Sequence, residues 1–152
     1  MPGTIVLTES QAAYFAGLID GEGSLFLSKH RTSGKKMSRR GFNWAPKLQV
    51  GMTDTEGIEL LAKVCNKKRL RRTKPGKRSS RPCYYVTLYG GELRQVLPVV
   101  LRHLLVKRRQ GELLLEAVSI LGPRTDETVD ARLEAISQQL TRLNHKGKKE
   151  AQ

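Results

Sequence analysis

Two carboxylates that lie two residues apart, Asp20 and Glu22, end an apolar stretch in a chain otherwise rich in positive charge. The stretch reads AGLIDGEGS over residues 16–24, and its apolar part has helical periodicity, so both acids fall at the C-terminal end of a helix. The last carbonyl groups of a helix are unpaired and carry negative dipole character, so added carboxylates are unfavourable there. A divalent cation removes that conflict, because a hard metal ion binds carboxylate and carbonyl oxygens together. Taken alone, an acid-Gly-acid-Gly segment is also typical of a turn.

Three small residues on the same helix, Ala13, Gly17 and Gly21, are each four positions apart and so share one face. A glycine inside a soluble helix costs about 1 kcal/mol relative to alanine, and close approach of another helix would offset that cost. Two interpretations fit: packing of this face within one protomer, or pairing with the same face of a second copy across a two-fold axis. In the second case two acidic helix ends converge, which suits one or more Mg²⁺ ions that activate water for phosphodiester cleavage.

The positive charge of the chain is large and unevenly distributed. The 152 residues include 28 Lys and Arg against 14 Asp and Glu, which gives a formal net charge of +14 and a pI near 10.2. No acid occurs between Gly23 and Thr53 or between Leu60 and Gly91, whereas these two segments hold seven and ten basic residues. A solvated mixed surface would intersperse the two signs. The pattern therefore favours a face that binds a polyanion.

Caps and apolar periodicity predict two helices in the first half of the chain. Thr8 with Gln11 three residues on has the form of a capping box and opens a helix that runs through residue 19. Thr53 with Glu56 looks like a second capping box, which would open a helix that ends near residue 65.

The second half of the chain is mostly helical in pattern. One helix is expected over 92–121, where Pro98 would force a break or a kink. Another amphipathic helix is expected over 126–143. The chain is therefore expected to form a single domain over 1–143, followed by a disordered basic tail over 144–152.

Two hairpins are expected between these helices. Segment 24–30 alternates apolar Leu25 and Leu27 with outward residues, and 42–52 predicts a second strand. Pro46 argues for an edge or a bulge in that second strand. Its inward residues would be Trp44, Leu48, Val50 and Met52. A second basic hairpin follows over 67–89.

The predicted order of helix, two strands, helix, two strands and further helices is an α+β organisation. The economical architecture is one four-stranded antiparallel sheet with the helices on one face, which leaves the basic face bare. A ten-residue strand spans about 33 Å, close to one turn of B-DNA, so each chain would follow about ten base pairs of major groove. The sequence predicts a DNA-binding saddle and not a recognition helix.

The segment YFAGLIDGEGS, at 14–24, closely resembles the signature of the LAGLIDADG homing endonucleases, and the αββαββα order and basic hairpins fit that family up to about residue 121. The chain carries one copy of the motif, so it is similar to the homodimeric members, which cut long pseudo-palindromic double-stranded DNA sites. The resemblance implies that Glu22 of each subunit and the backbone carbonyl of Gly21 bind divalent metal. The implied ion is Mg²⁺, with Mn²⁺ or Ca²⁺ able to substitute for binding, and no small-molecule cofactor is implied.

The resemblance also assigns two further residues near the active site. Asp20 would mainly finish and orient the helix, and Lys107, in LLVKRRQ, looks like the basic residue that stabilises charge or positions water. The implied dimer interface is Ala13, Gly17, Asp20 and Gly21. Homodimeric relatives often place a polar, water-ordering residue near the end of the second strand, where this chain has Met52. Either Gln49 or Thr53 would substitute, or the solvent network differs.

Alternation along the strands and the resemblance agree on the residues that face DNA. Amides can bridge adenine edges and arginines can bridge guanine edges, while turn residues touch phosphates. The expected base-reading residues are Ser28, His30, Asn43, Lys47 and Gln49 on the first hairpin, with Arg69, Arg71, Tyr85 and Thr87 on the second. The expected phosphate contacts are Lys35, Lys36, Arg39, Arg40, Lys77 and Arg78. A slip of one residue in the second hairpin would reverse its faces.

The two cysteines and the hydropathy of the chain indicate the cellular compartment in which the protein is expected. Cys65 and Cys83 form no CxxC pair, so a metal knuckle or disulfide framework is not expected, and Cys65 fits a small buried hydrophobe. No apolar run reaches about 18 residues, so no membrane span is expected. The protein is expected inside the cell, in the cytoplasm, nucleoid or an organelle matrix, and not secreted.

Three functions remain open at this stage. The leading hypothesis is a homing endonuclease that makes a double-strand break during intron homing. The alternatives are an intron RNA maturase on the same scaffold and a non-catalytic DNA-binding protein. Glu22 favours the first, because members that no longer cut need no acid there.

Overall fold

The computed structural model describes residues 3–31, 41–67, 70–72, 82–122 and 126–150, with side chains of the last helix through 145. The described residues form five α-helices, which are α1 Glu9–Glu22, α2 Glu56–Val64, α3 Gly90–Val100, α4 Arg108–Ile120 and α5 Glu127–Glu150. The strands are β1 Gly23–Arg31, β2 Phe42–Met52, β3 Arg71–Arg72 and β4 Tyr84–Leu88. They form a four-stranded sheet in the order β1-β2-β4-β3, and every neighbouring pair is antiparallel. The predicted α+β architecture is confirmed.

The sheet has one apolar face, on which the helices pack. Its inward side chains are Leu25, Leu27, Trp44, Leu48, Val50, Val86 and Leu88, and all are buried. The two hairpin strands pair without a bulge, from Gly23 opposite Val50 to Arg31 opposite Phe42. Pro46 lies where β2 has only one neighbour, because β4 pairs with β2 only from Leu48 onward. A proline is tolerated at such a local edge, since no ladder hydrogen bond is lost.

Helix α1 begins as the sequence predicts and ends later. The Thr8 hydroxyl accepts a hydrogen bond from the Gln11 amide, and the Gln11 side chain accepts from the Thr8 amide, so the capping box is confirmed. The helix continues past residue 19 to Glu22, which places both acids in its last turn. A Cβ on Gly23 would lie 2.7 Å from the Ile19 carbonyl oxygen. The chain therefore needs a glycine to leave the helix directly into β1.

Two predicted helix boundaries were wrong. Helix α2 begins at Glu56 after Thr55, which makes no side-chain capping bond, so Thr53 does not open it. Pro98 lies inside α3, where the burial of its neighbours Leu97 and Val100 outweighs one missing backbone bond. The break predicted within 92–121 comes after Val100, in a 3₁₀ turn and a loop that lead to α4.

Helix α5 runs antiparallel to β1 and covers the edge of the sheet. The Ser137 hydroxyl donates to the Leu27 carbonyl at 2.9 Å, and the Asn144 amide donates to the Leu25 carbonyl at 3.0 Å. These bonds satisfy carbonyls that an exposed edge strand would leave unpaired. The helix extends beyond residue 143, its predicted end, to Glu150. Among the described residues, no helix is both long and apolar enough to cross a bilayer.

Candidate metal-binding helix end and nucleic-acid interface

The two acids at the end of α1 have different surroundings. The Asp20 carboxylate accepts the backbone amides of Leu105 and Lys107, each at 2.9 Å, one on each oxygen. Asp20 therefore holds the loop that precedes α4, and these donors compensate its charge at the negative end of the helix. Glu22 is exposed and makes no hydrogen bond or ion pair with any residue that the structure describes. Backbone donors of the protomer thus bind the Asp20 carboxylate, whereas no described group donates a hydrogen bond to the Glu22 carboxylate.

Lys107 stands beside both acids. Its ammonium group donates a hydrogen bond to the backbone carbonyl of Gly23, directly after the helix end. Burial lowers the pKa of Lys107 from its ordinary value, while the negative charges of Asp20 and Glu22 act in the opposite direction. The loop that Asp20 holds thus fixes a positive group next to the exposed carboxylate of Glu22.

The donor set at the helix end suits a divalent metal ion. Glu22 offers an exposed carboxylate, and Gly21 lies in the last turn, where helix carbonyls lack an intrahelical partner. These are the hard oxygen ligands that Mg²⁺ prefers. Within the described part of one protomer, no three His, Cys, Asp or Glu residues are close enough to hold a metal. Ligands from outside the protomer would have to complete the coordination.

The small-residue face of α1 is open in the protomer. Ala13, Gly17 and Gly21 are exposed, and a Cβ added at either glycine would meet no atom within 4 Å. Packing of this face within the protomer is therefore not observed among the described residues. Next to it, in the loop that Asp20 holds, Leu105 and Val106 are 81% and 75% exposed.

The register of the sheet places the predicted base-reading residues on its outward face. His30 lies opposite Asn43, Gln49 lies between Ser24 and Thr87, and Arg71 pairs with Tyr85. The faces of the second hairpin are therefore as predicted. The outward residues that the sequence singled out and the structure describes are Ser28, His30, Asn43, Lys47, Gln49, Arg71, Tyr85 and Thr87. Arg69 and the turn residues Lys35, Lys36, Arg39, Arg40, Lys77 and Arg78 lie outside the described residues.

Gln49 and Thr53, the two residues expected to replace a water-ordering group at Met52, lie at different places in the structure. Met52 is half-buried and pairs with Tyr84 at the end of β2. Gln49 belongs to the outward row with Ser24 and Thr87, and Thr53 is exposed beyond the strand end.

Two aromatic rings flank the predicted DNA-binding residue Lys47 on the outward face, and sequence reasoning did not single them out as functional residues. The Lys47 ammonium lies 6.0 Å from the ring centre of Phe26 and 5.9 Å from that of Tyr89. Phe26 is directly opposite Lys47 across the first hairpin. The outward position of Phe26 follows from the same alternation that identified Ser28, so the strand pattern contained this signal.

A second missed residue is Gln110 on α4. It lies on the apolar stripe of that helix with Leu113, Leu114, Ala117 and Val118, and it is 9% exposed. A glutamine in the i, i+3, i+4, i+7 stripe of an amphipathic helix is the sequence signal that would have identified it.

His103 lies away from the acidic helix end, and Cys65 lies in the core. His103 Nε2 lies 2.8 Å from the Glu9 carboxylate, which also contacts Arg102, at the opposite end of α1. Cys65 is buried, as predicted, and burial raises the pKa of its thiol to about 12.

Sequence comparisons do not identify relatives, since no protein-family model and no curated protein sequence matches the chain. Solved structures do match its fold. The homing endonuclease I-CvuI, solved in complex with target DNA in the presence of Mg or Ca, superposes with a TM-score of 0.65 at 20% identity, covering 89% of this chain and 82% of its own. An archaeal intron-encoded homing endonuclease, I-Vdi141I, complexed with DNA, gives 0.64 at 20% identity over 89% and 84% of the two chains.

A third neighbour, the homing endonuclease I-TnaI, matches over almost its whole length. Its TM-score is 0.65 at 16% identity, and the match covers 92% of this chain and 97% of I-TnaI. The four-stranded antiparallel sheet with helices packed on one face agrees with these structures. The chain has the fold of the LAGLIDADG homing endonucleases.

Proposed function

We propose that the chain is one subunit of a homodimeric, Mg²⁺-dependent homing endonuclease, which hydrolyses both strands of a long pseudo-palindromic DNA site. The observation that carries the proposal is the end of α1. There an exposed Glu22 carboxylate lies beside the fixed ammonium of Lys107, at the rim of an uncovered face of small residues. The proposal rests on this site and on the fold, not on sequence identity to any neighbour.

The open face of α1 supports the homodimer. Gly17 and Gly21 leave room for a second helix to approach closely, and no other element of the described protomer uses that room. A two-fold axis along this face would bring the two Glu22 carboxylates together. It would also supply the additional ligands that one protomer lacks.

The residues at the helix end divide the chemistry between them. Glu22 and the Gly21 carbonyl would hold Mg²⁺, which when bound lowers the pKa of water and offsets negative charge on a phosphodiester. Lys107 keeps a positive group near the reacting phosphate, where it stabilises the charge that develops during hydrolysis. Asp20 positions Lys107 through the backbone amides of the loop.

The outward face of the sheet supports duplex DNA as the substrate. No described helix covers this face, which carries amide, hydroxyl and cationic side chains in cross-strand rows, and the chain has a net charge of +14. The strands β1 and β2 have nine and eleven residues, which is long enough to follow a major groove. A DNA substrate implies a compartment that contains DNA, so we extend the proposal to the cytoplasm, nucleoid or an organelle matrix.

The test uses a pool of duplexes with a randomised central segment, incubated with the protein and Mg²⁺. Ligation of adaptors to cut ends recovers the cleaved sequences, and the expected result is a family of related, pseudo-palindromic sites cut on both strands only when Mg²⁺ is present. Recovery of bound but uncut duplexes would support the DNA-binding alternative. Preferential binding of structured RNA with no duplex cleavage would support the maturase alternative, and either result contradicts the proposal.

A further inference from the structure

A cleft of about 670 Å³ lies beside the end of α1 and contains Gln110. Its walls come from the start of β1, the first turn of α4 and the C-terminal part of α5. The polar residues that line it are Ser24, Lys107, Gln110, Thr141, Asn144 and His145. The cleft therefore opens next to the ammonium group of Lys107, and not on the far side of the protomer.

Gln110 is the one buried polar side chain among the described residues. It makes no side-chain hydrogen bond with them, yet no fully enclosed side-chain atom of the described chain lacks a partner. The amide of Gln110 is therefore accessible to solvent in the cleft, which this residue lines. A buried amide that makes no hydrogen bond destabilises the fold by about 1–3 kcal/mol. Without a bound partner such as water, an apolar residue at this position would therefore stabilise the protein better than glutamine does.

The walls around Gln110 are fixed by hydrogen bonds that leave the amide available. Lys107, one helical turn earlier, is bound to the Gly23 carbonyl, and Asn144 is bound to the Leu25 carbonyl at 3.0 Å. A carboxamide both donates and accepts hydrogen bonds, and it does not titrate. A polar cleft of this size holds several water molecules.

We propose that Gln110 is a positioning residue that orders water in this cleft and aligns it, next to Lys107, for attack on the scissile phosphodiester. In that step the water oxygen forms a new P–O bond, the bridging P–O bond breaks, the water proton passes along the ordered water to solvent, and the leaving sugar oxygen takes up a proton. The inference rests on the proposed endonuclease function.

The test compares Gln110→Met with the wild type on the duplex recovered by the cleavage selection. Methionine keeps the length and flexibility of the side chain and removes its hydrogen bonds. The single-turnover cleavage rate is expected to fall by about 10- to 100-fold, the usual cost of misplacing a reacting group. The dissociation constant for DNA should stay within about threefold, and the melting temperature should be equal or higher because the substitution breaks no hydrogen bond within the protein and adds apolar surface to the α4 stripe. The exposed Gln138→Met on α5 is the matched control and should leave all three quantities unchanged.

Three outcomes separate this inference from the function on which it rests. A wild-type rate in Gln110→Met, or a parallel loss of binding and melting temperature, overturns the role of Gln110 and leaves the endonuclease intact. Failure of the wild type to cut any duplex overturns both. A crystal structure of the wild-type protein on uncut DNA gives an independent readout. An ordered water about 2.7–3.2 Å from the Gln110 amide is expected, and an amide turned away from the cleft into protein contacts would contradict the inference.

Discussion

Both faces of helix α1 carry small residues, yet contacts within the described protomer explain those of only one face. On the packed face, Ala12 and Ala16 are fully buried beside Phe15 and Ile19. On the open face, Gly17 and Gly21 have no neighbour within 4 Å of an added Cβ. The sheet repeats the contrast, with a buried apolar face and an uncovered polar face.

The contrast distinguishes residues that stabilise the protomer from exposed residues that are available to bind a partner. Small side chains on the packed face let α1 approach the sheet, and a larger residue there would have to displace the core. The two glycines on the open face, Gly17 and Gly21, pack against no other element of the described protomer and lower the stability of the helix. The proposed function assigns a second copy of the chain to the open face of α1 and a DNA duplex to the uncovered face of the sheet.

The largest effect is expected from Gly17→Leu on the open face. The leucine would keep two α1 helices apart, so the dimer and DNA cleavage should both be lost. The protomer itself should become more stable by up to about 1 kcal/mol, because glycine is the poorer helix former. Light scattering after gel filtration gives the mass, and thermal unfolding gives the stability.

The matched control is Ala16→Leu on the packed face. Overpacking there should destabilise the fold by about 1–3 kcal/mol, without a specific effect on subunit contact. A Gly17→Leu protein that keeps the mass of a dimer would remove the proposed interface.

The variants Lys47→Ala and Lys29→Ala compare the contributions of the two sheet faces to DNA affinity. Lys47 is on the open face between two aromatic rings, whereas Lys29 is on the helix side, 4.3 Å from the ring centre of Phe42 and 3.3 Å from the Glu134 carboxylate. Lys47→Ala should weaken binding of the selected duplex by about 1–3 kcal/mol, as for the loss of a base contact. Lys29→Ala should leave DNA affinity unchanged, as measured by fluorescence anisotropy. If both substitutions reduced DNA affinity equally, the outward face of the sheet would not be the DNA-binding face.

A smaller effect is expected from Asp20→Asn at the end of α1. An asparagine keeps one acceptor oxygen and loses the charge, so one of the two loop amides should lose its partner, at a cost of about 1–3 kcal/mol at most. Hydrogen exchange of the Leu105 and Lys107 amides should accelerate, while exchange on the packed face of α1 stays slow. Unchanged protection of both amides would show that Asp20 does not hold the loop.

The smallest effect concerns Cys65 within the packed core. Burial raises the pKa of this thiol to about 12, above the value of about 8.5 expected in the unfolded chain. The neutral thiol therefore contributes stability that is fully present below about pH 8.5 and is lost as the pH rises towards 12. The free energy of unfolding of the wild type should thus fall towards that of Cys65→Ala between pH 9 and 10.5, by up to about 1.4 kcal/mol per pH unit. A constant difference over this range would contradict the burial of the thiol.

Local patterns predicted most of the fold. The Thr8 capping box, the alternation in both hairpins and the small-residue stripe all depend on neighbours within a few residues, and each agrees with the structure. The start of α2 was displaced by two residues, and the error at Pro98 arose because contacts with distant residues determine where that helix ends. Pro98 does not end its helix because core packing holds it, and the chain breaks later, where Asp20, far away in sequence, captures the loop amides.

In the candidate site, too, local sequence patterns predicted some features, while contacts between distant residues determined the others. The sequence motif predicted that Asp20 and Glu22 end one helix, but their different roles depend on a loop 85 residues away in sequence. The unpartnered amide of Gln110 could be recognised only after α4, α5 and β1 were placed together. The same holds for the antiparallel course of α5 along β1, since Ser137 and Asn144 reveal it only through their bonds to strand carbonyls.

The most direct test of the account is Glu22→Gln, which removes one negative charge and keeps the side-chain shape. On the duplex recovered by selection, cleavage in Mg²⁺ should be lost, while the dissociation constant without added divalent ion stays within about threefold of the wild type. Glu112→Gln, an exposed carboxylate on α4, is the control and should cut normally. Cleavage by Glu22→Gln at the wild-type rate, or an equal loss of cleavage and DNA binding, would contradict the assignment of Glu22 as the metal-binding acid.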